Sequence, residues 1–353
     1  MTNAKTNAIV GCLLGTAVGD AMGLPYEGLS KRRQQRMYPQ IRGYDFLLGK
    51  GMVSDDTEHT CMVAHALMIS RGNVAKFQTK LAWKFRFWLL GLPAGVGWAT
   101  LRSLVKLWLG FRADRSGVFS AGNGPAMRSA IIGVCYGHDL PKLRALIQTS
   151  TRLTHTDPKA EYGALAVAIA TYLSSQQSPI SPQDYYQTLE NSLPVNAAQF
   201  LSLINQACES AANQESAAKF AVRLGLKHGI TGYIYHTVPI AIQVWLKYPE
   251  DYQKAITEII RLGGDTDTTA AILGGIIGSR VGQTGIPQRW LDHLWEWPRT
   301  VQWLETLGKS LVVSDEAMIQ PPLSLSIFAL LLRNVVFLIV VLLHGIRRLL
   351  PPY

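Results

Sequence analysis

Two short polar segments carry an unusual concentration of oxygen-bearing side chains in this chain. Residues 54–57 read Ser-Asp-Asp-Thr and precede an apolar stretch, and residues 263–269 read Gly-Gly-Asp-Thr-Asp-Thr-Thr and precede a run of small residues. Asp, Ser and Thr commonly cap helix N-termini, where one acceptor satisfies a free backbone N–H. Each segment, however, offers two carboxylates and at least one hydroxyl, which is more than capping alone requires.

Four carboxylates gathered in a protein interior would repel one another and take up protons unless cations compensated them. Oxygen ligands without His or Cys favour Mg²⁺ or Mn²⁺ over Zn²⁺, and a carboxylate set this rich can hold two ions. If the two segments lie close together in the fold, they therefore predict a site for hard divalent cations.

A glycine stripe near the N-terminus indicates how the two segments could meet. Gly11, Gly15, Gly19 and Gly23 recur every four residues, so that one side of a helix is bare and another backbone can approach it closely. Packing of this helix against the Gly-rich helix 270–282 would bring both polar segments to one end. Lys5 followed by apolar residues also resembles a signal peptide, but the glycines favour a buried helix.

Apolar residues recur mostly at helical spacing from about residue 8 to 309, with Pro and Gly breaks between segments and few alternating strand-like runs. We expect an all-α, compact multi-helix catalytic domain over residues 1–320. Four scattered cysteines without a C-x-x-C pair exclude a thiolate metal site and a disulfide scaffold, and they favour a reducing, cytoplasmic location.

The sequence carries a formal net charge of +10, but only 16% of its residues are charged. The basic aromatic stretch 81–110 is typical either of a core helix with cationic tips in solvent or of a helix lying on a membrane, and its Gly-Pro interruption favours the core helix. The basic run 31–36 is typical of a solvated face, and we do not expect a nucleic-acid partner.

Residues 321–353 form a separate hydrophobic tail after Pro321-Pro322. The stretch 323–343 has the length of a membrane span, but Arg333 lies near its midpoint, where a charge costs about 2.5–3.5 kcal/mol. Arg347 and Arg348 would also cross the membrane against the positive-inside preference. A span, an interfacial or re-entrant anchor and an oligomerisation helix all stay open. We expect the tail to recruit the protein to a surface and its deletion to leave catalysis intact.

The polar segments, taken in order with three further motifs, resemble the ADP-ribosylglycohydrolase family from about residue 9 to 282. The other motifs are the glycine-stripe segment 11–27 ending in Pro-Tyr-Glu27, the turn 120–128 (Ser-Ala-Gly-Asn-Gly-Pro-Ala-Met-Arg), and 153–157 (Leu-Thr-His-Thr-Asp). The resemblance implies an all-α fold with two adjacent Mg²⁺ or Mn²⁺ ions. It also implies hydrolysis of the bond between the anomeric ribose carbon of ADP-ribose and an acceptor, which is an arginine, a serine or a small molecule.

The resemblance assigns a role to individual residues. It implies metal ligands at Ser54, Asp55 and Asp56 in the first segment and at Asp265, Asp267 and Thr268 in the second. Glu27 matches a glutamate tied to catalysis in one branch of the family, and Asp56 competes with it as the base. Substrate contacts are expected from Gly95, Gly97, Ser120, Asn123 and His155, with the Gly-rich turn at Ser120 binding phosphate. Asp20 matches a family position that we interpret as structural. A non-catalytic ADP-ribose-binding or structural relative is the alternative.

Overall fold

A computed structural model describes residues 2–176, 178–313 and 323–351. The all-α fold class is confirmed: the described residues contain helices, turns and isolated β-bridges but no strand. The helices are α1 (Thr2–Gly23), α2 (Lys31–Met37), α3 (Asp55–Ser70), α4 (Val74–Leu90), α5 (Trp98–Trp108), α6 (Gly124–Met127), α7 (Ala130–Tyr136), α8 (Leu140–Arg152), α9 (Pro158–Ser175), α10 (Pro182–Glu190), α11 (Ala198–Ala212), α12 (Ala217–Arg223), α13 (Ile234–Lys247), α14 (Tyr252–Ile260), α15 (Thr266–Val281), α16 (Gln288–Asp292), α17 (Val301–Val313) and α18 (Ile327–Arg347).

The centre of the fold is the pair α1 and α15, which pack backbone to backbone as the glycine stripe predicts. A Cβ on Gly11 would lie 2.1 Å from the carbonyl oxygen of Gly278, and one on Gly15 would lie 2.2 Å from that of Gly274. Only glycine permits this approach. The apolar part of α1 is fully buried, which confirms the expectation of a core helix at this position.

Helices α9, α13 and α14 pack around α15, while α3 and α17 pack against α1. The N-termini of α3 and α15 point to the same end of this core, because Thr266 donates from its Oγ1 to the carbonyl of Gly23 at the end of α1 (2.8 Å). Because α1 and α15 are antiparallel, the start of α15 lies beside the end of α1, and the two polar segments lie next to each other.

Helix α18 lies across the body. Arg333 on this helix is buried and donates to the Glu296 carboxylate (2.7 Å) and to the carbonyl of Val53 (2.5 Å), and Asn334 donates to the carbonyl of Gly91 (2.7 Å). Pro321 and Pro322 lie outside the described residues, so the domain boundary at residue 320 stays a prediction.

Among the residues that the structure describes, two helices are long and apolar enough to cross a membrane by length and composition: the buried α1 region and α18. Only 28% of the apolar window of α18 is buried, compared with all of the window in α1. The two helices therefore differ in surroundings rather than in composition.

Candidate active site

Asp20, near the end of α1, holds the start of α3. Its carboxylate accepts from the backbone N–H of Ser54 (2.9 Å) and of Thr57 (3.1 Å) and from the Thr57 hydroxyl (2.5 Å). Burial is the main reason that the pKa of Asp20 is raised to about 6, and these hydrogen bonds limit the rise. The interpretation of Asp20 as a structural residue agrees with these contacts, since all of its partners belong to the first polar segment.

The first polar segment uses only Ser54 as a cap. The Ser54 Oγ accepts from the N–H of Asp56 (3.3 Å), and it also donates to Oδ2 of Asp56 (3.0 Å). Thr268 of the second segment donates to the same Asp56 oxygen (3.1 Å). Two hydroxyls, one from each segment, therefore converge on one carboxylate.

The second polar segment does not cap its helix through a side chain. Asp265 occupies the N-cap position of α15, yet its side chain makes no capping bond. Its Oδ2 instead accepts from the Asn123 amide (2.7 Å), which also donates to Thr237 (3.1 Å). The capping interpretation consequently fails for the Asp265 side chain, which is directed to the turn that contains Asn123.

The Glu27 loop is joined to the second segment through the backbone. Gly28 donates to the carbonyl of Gly264 (2.8 Å), and Gly264 donates to that of Leu29 (2.9 Å). Gly264 has a φ of +86°, and a Cβ there would lie 2.0 Å from the carbonyl of Ile230. Glycine at this position thus permits both the positive φ and the close contact with Ile230.

These elements enclose a cavity of about 630 Å³, which is within the usual range for a small-molecule site. The residues predicted from the sequence that line it are Glu27, Ser54, Asp55, Gly95, Gly97, Ser120, Asn123, His155, Asp265, Asp267 and Thr268. Asp56 is not part of the lining, but it is bonded to Ser54 and Thr268. Six separate stretches of sequence therefore meet at one cavity.

Burial, and after it repulsion between carboxylates, disfavours negative charge at this site. Burial raises the pKa of Asp55, Asp56 and Asp267 well above the ordinary range, and the neighbouring carboxylates raise it further. Enclosure by the cavity walls and the charge of Asp265 raise the pKa of Glu27, although its side chain reaches solvent and Arg348 opposes the shift. A carboxylate group of this kind holds protons unless a cation enters.

The donor set fits hard divalent cations. Oδ1 of Asp56 and Oδ1 of Asp267 are buried and have no hydrogen-bond partner, which is costly for a carboxylate. The surrounding ligand atoms are carboxylate and hydroxyl oxygens, as Mg²⁺ and Mn²⁺ prefer. Within the described part of the chain, however, no group of three or more His, Cys, Asp and Glu side chains forms a ready ion-binding cluster. The ligands predicted from the sequence share a cavity without converging on one point.

The turn 120–124 closes another side of the cavity. Gly122 donates to the Ser120 hydroxyl (3.3 Å), and Asn123 donates from its N–H to the carbonyl of Gly232 (2.9 Å). The helix that begins at Gly124 has only four residues, so its dipole is small. Phosphate contacts at this turn would depend on local N–H and hydroxyl groups rather than on a helix terminus.

His155 is a neutral, buried residue behind this turn. Burial and the charge of Arg128 lower its pKa to about 3, and its Nδ1 lies 2.8 Å from the Thr154 hydroxyl. Arg128 is itself fully buried and donates to the carbonyl of Gly124 (3.1 Å) and to Thr154 (2.6 Å). Arg128 is in the turn motif but was not predicted as a site residue; its contacts support the turn rather than the cavity surface.

The sequence interpretation missed three contributions of α18 to this site. Phe337 and Val341 line the cavity, and Arg348 donates to the carbonyls of Pro25 (2.9 Å) and Glu27 (2.6 Å). His344 lies 2.8 Å from the same Pro25 carbonyl. One signal was available: Arg333, Asn334, His344 and Arg348 share one face of an otherwise apolar helix, as expected if that face contacts protein.

Comparison with known proteins identifies a family over most of the chain. A family model described as ADP-ribosylglycohydrolase matches residues 1–319. ADP-ribosylhydrolase ARH3 of Gallus gallus is 27% identical, in an alignment that covers 79% of this chain and 87% of that protein. The ADP-ribosyl-[dinitrogen reductase] glycohydrolase of Rhodospirillum rubrum is 24% identical, with 81% of this chain and 89% of that protein covered.

A solved structure has the same fold. It is described as "ADP-ribosylglycohydrolase-related protein complex", and it superposes with a TM-score of 0.63. The alignment covers 88% of this chain and 99% of that one. Its sequence identity of 22% limits this likeness to the fold.

Proposed function

Because the chain belongs to the ADP-ribosylglycohydrolase family, whose members are glycosidases acting on ADP-ribose linkages, we propose a metal-dependent reaction for it. The chain hydrolyses the ribosyl bond between ADP-ribose and an acceptor. The acceptor is an arginine or serine of a protein, or a small molecule. The names of its relatives support the linkage, while the acceptor and the metal dependence are our inference.

One observation carries this proposal. The two carboxylate segments, the Glu27 loop and the turn 120–124 all face one cavity of about 630 Å³. Among the described residues no Lys or Arg forms an ion pair with the carboxylates of the two segments. Two buried oxygens, Oδ1 of Asp267 in the cavity lining and Oδ1 of Asp56 beside Ser54 and Thr268, also lack hydrogen bonds. Bound cations would supply the partners that these carboxylates lack.

Two ions, Mg²⁺ or Mn²⁺, would be held by Ser54, Asp55 and Asp56 on one side and by Asp265, Asp267 and Thr268 on the other. When bound, such ions orient the hydroxyls of a ribose and lower the pKa of water. Asp20 keeps the first ligand set in place through the two backbone N–H groups that it accepts. Asn123 orients Asp265 by its amide donor.

Glu27 is placed to take the proton of the attacking water. Its raised pKa makes it a stronger base than an ordinary glutamate, and its side chain borders the cavity. Asp56 is the competing base, but both of its hydroxyl donors come from the ligand segments, which favours a role in holding an ion. As the bond between the anomeric carbon and the acceptor breaks, the ribose becomes oxocarbenium-like and the water adds to that carbon. The proton that Glu27 takes from the water then passes to the departing acceptor.

The remaining lining residues bind the rest of ADP-ribose. Ser120 and Asn123 offer a hydroxyl and an amide to phosphate oxygens, and the exposed Gly95 and Gly97 let the ligand approach the backbone across the cavity. His155 stays neutral over the physiological pH range, since its pKa lies at about 3. It therefore contacts the ligand as a hydrogen-bonding group rather than as a cation.

The decisive test measures ADP-ribose release by the full chain, kept in mild detergent, from arginine- and serine-ADP-ribosylated peptides. Each peptide is assayed with Mg²⁺, with Mn²⁺ and with EDTA. We expect release from one peptide that depends on the metal, which assigns the reaction and the acceptor class together. Release that EDTA leaves unchanged would contradict the metal dependence.

Binding without turnover would favour the alternative function. If the chain binds free ADP-ribose in calorimetry but releases none from either peptide, a non-catalytic ADP-ribose-binding relative replaces the hydrolase. We also propose a cytoplasmic location with α18 directed to a membrane surface.

A further inference from the structure

Helix α18 turns its polar side chains to the protein and its apolar side chains outward, which is the reverse of an ordinary surface helix. Its polar side chains Arg333 and Asn334 face the protein, where they bond to Glu296, Val53 and Gly91. Its outer face is apolar: Phe328 is 80% exposed and Leu342 is 57% exposed. The other large exposed side chains on it include Leu332, Val335, Leu338, Ile339, Leu343 and Ile346. A soluble protein rarely leaves a stripe of this length uncovered.

The apolar surface extends beyond α18 onto α4 and the loop after it. Phe87 and Ile327 border the same groove. Phe87 stacks on the exposed Trp83 with a centroid distance of 5.8 Å and meets the Trp108 ring edge-on at 6.5 Å. Leu92, in the loop that Asn334 contacts through Gly91, is 75% exposed. Tryptophan rings beside aliphatic side chains are typical of a membrane interface.

The charge around this surface is mainly positive, although Glu27 and Asp45 lie near the C-terminal end of α18. Segments 28–44, 74–113 and 323–351 contain five, seven and three Lys or Arg residues respectively, and none of them contains Asp or Glu. Helix α2 in the first segment reaches the end of α18, because the Arg33 guanidinium donates to the carbonyl of Arg348. Arg32 and Arg347 are exposed at that end. Cations that flank an apolar face attract an anionic lipid surface.

We propose that the outer face of α18, the exposed rings of α4 and the basic residues of α2 form one surface that docks on an anionic lipid bilayer, with α18 lying in the membrane plane. Spanning is disfavoured, because withdrawing Arg333 from the body would leave the Glu296 carboxylate buried without its closest cation (2.7 Å). The polar face of α18 stays on the protein while the apolar face enters the interface. This placement does not depend on the proposed hydrolysis.

Vesicle flotation tests the proposal, because it separates bound protein from aggregates. The full chain is mixed with vesicles of phosphatidylcholine alone or of phosphatidylcholine with phosphatidylglycerol. We expect flotation with the anionic vesicles, weakened by high salt. The triple variant Leu332→Ser/Ile339→Ser/Leu342→Ser is expected to lose about a hundredfold or more in partitioning. The control Val195→Ser/Val222→Ser changes two exposed aliphatic residues elsewhere, which are 96% and 53% exposed, and is expected to float like the parent.

A second pair of variants tests the charge. Arg32→Gln/Arg347→Gln is expected to weaken binding by about twentyfold on anionic vesicles, since each cation near the surface contributes roughly fivefold. Arg144→Gln/Arg289→Gln, which removes two exposed cations elsewhere, is the control. Circular dichroism of all variants verifies that each is folded.

Labelling tests the orientation. The four native cysteines are buried, so Ser324→Cys and Pro351→Cys each add one exposed thiol at the two ends of α18. If α18 lies in plane, a membrane-impermeant maleimide outside the vesicles reacts with both variants. Protection of one end would show spanning and overturn the in-plane arrangement. Protein that stays unbound with both vesicle types, or an apolar face that instead forms a dimer by light scattering, would overturn the proposal.

Discussion

Helix α3 contributes to two buried groups of charge that are built in opposite ways. At its first turn, Asp55 and Asp56 face Asp265 and Asp267, and within the described residues no Lys or Arg forms an ion pair with any of the four. One turn on, Glu58 belongs to a paired group in which Arg299 lies 2.8 Å from Glu58 and Arg333 lies 2.7 Å from Glu296.

The pKa values of the α3 carboxylates Glu58 and Asp56 follow this contrast, although burial still raises the pKa of Glu296. Burial alone would raise the pKa of Glu58, but Arg299 and Arg333 outweigh it and the pKa is lowered. Asp56 is as deeply buried and has its pKa raised well above the usual range. The charges of the paired group are compensated by ion pairs within the protein, whereas the unpaired group would be compensated by the cations that we propose. We therefore regard the first as structural and the second as the reactive site.

Removing one charge from the unpaired group should have the largest effect on activity. In Asp56→Asn and Asp267→Asn we expect the turnover number to fall by about a thousandfold or more, because a bound cation supplies several kcal/mol of transition-state stabilisation. Stability without metal should rise or stay equal, since repulsion is relieved. Calorimetry with Mn²⁺ and denaturation in EDTA measure both quantities.

The surface variant Asp292→Asn controls for loss of a carboxylate in general, and it should retain activity and metal affinity. Unchanged Mn²⁺ affinity in both Asp56→Asn and Asp267→Asn would contradict the assignment of the unpaired group as a cation site.

Removing one charge from the paired group should instead destabilise the fold. Arg333→Met leaves the Glu296 carboxylate without its closest cation, and breaking a buried pair costs about 3–5 kcal/mol. Chemical denaturation measures the loss. The double variant Arg333→Met/Glu296→Met removes both partners and should recover much of it. A single variant as stable as the parent would show that the pair is not structural.

The response to metal should depend on pH only through the unpaired group. Asp55, Asp56 and Asp267 have raised pKa values in the folded, metal-free state, so protonation favours folding and stability is lost as pH rises through those values. A cation replaces these protons. The stabilisation of the fold by Mg²⁺ or Mn²⁺, measured by thermal denaturation, should therefore grow from pH 5.5 to pH 8. It should reach about 2.7 kcal/mol when the metal is in hundredfold excess over Kd. A shift that shrinks with rising pH would contradict a carboxylate site.

The unpaired group could be predicted from the sequence because its formation depends on local spacing. Four glycines at four-residue intervals are sufficient to predict the close contact between α1 and α15, and that contact places both carboxylate segments at one end. The paired group could not be predicted in the same way. Its members Glu58, Glu296, Arg299 and Arg333 are scattered over the sequence, and no periodicity connects them.

Helix α18 shows why the remainder was missed. Hydropathy measures how apolar a segment is but not what covers each face, so the tail was expected to be separable from catalysis. Phe337 and Val341 border the cavity, and Arg348 contacts the Glu27 loop. We now expect deletion of residues 321–353 to reduce activity, because it opens the cavity wall and removes donors from the loop.

The smallest expected effect is at Arg348, which contacts the Glu27 loop from the C-terminal end of α18. Arg348 lowers the pKa of Glu27, so Arg348→Gln should raise that pKa and move the acidic limb of the kcat/KM profile to higher pH. Since Arg348 is partly exposed, the shift should be at most about 0.7 pH unit. Arg348→Lys keeps the charge and should leave the limb in place. If Arg348→Gln leaves the limb in place, Glu27 is not the group that titrates in it; Asp56 then replaces Glu27 as the base, and the unpaired group takes the proton as well as the cations.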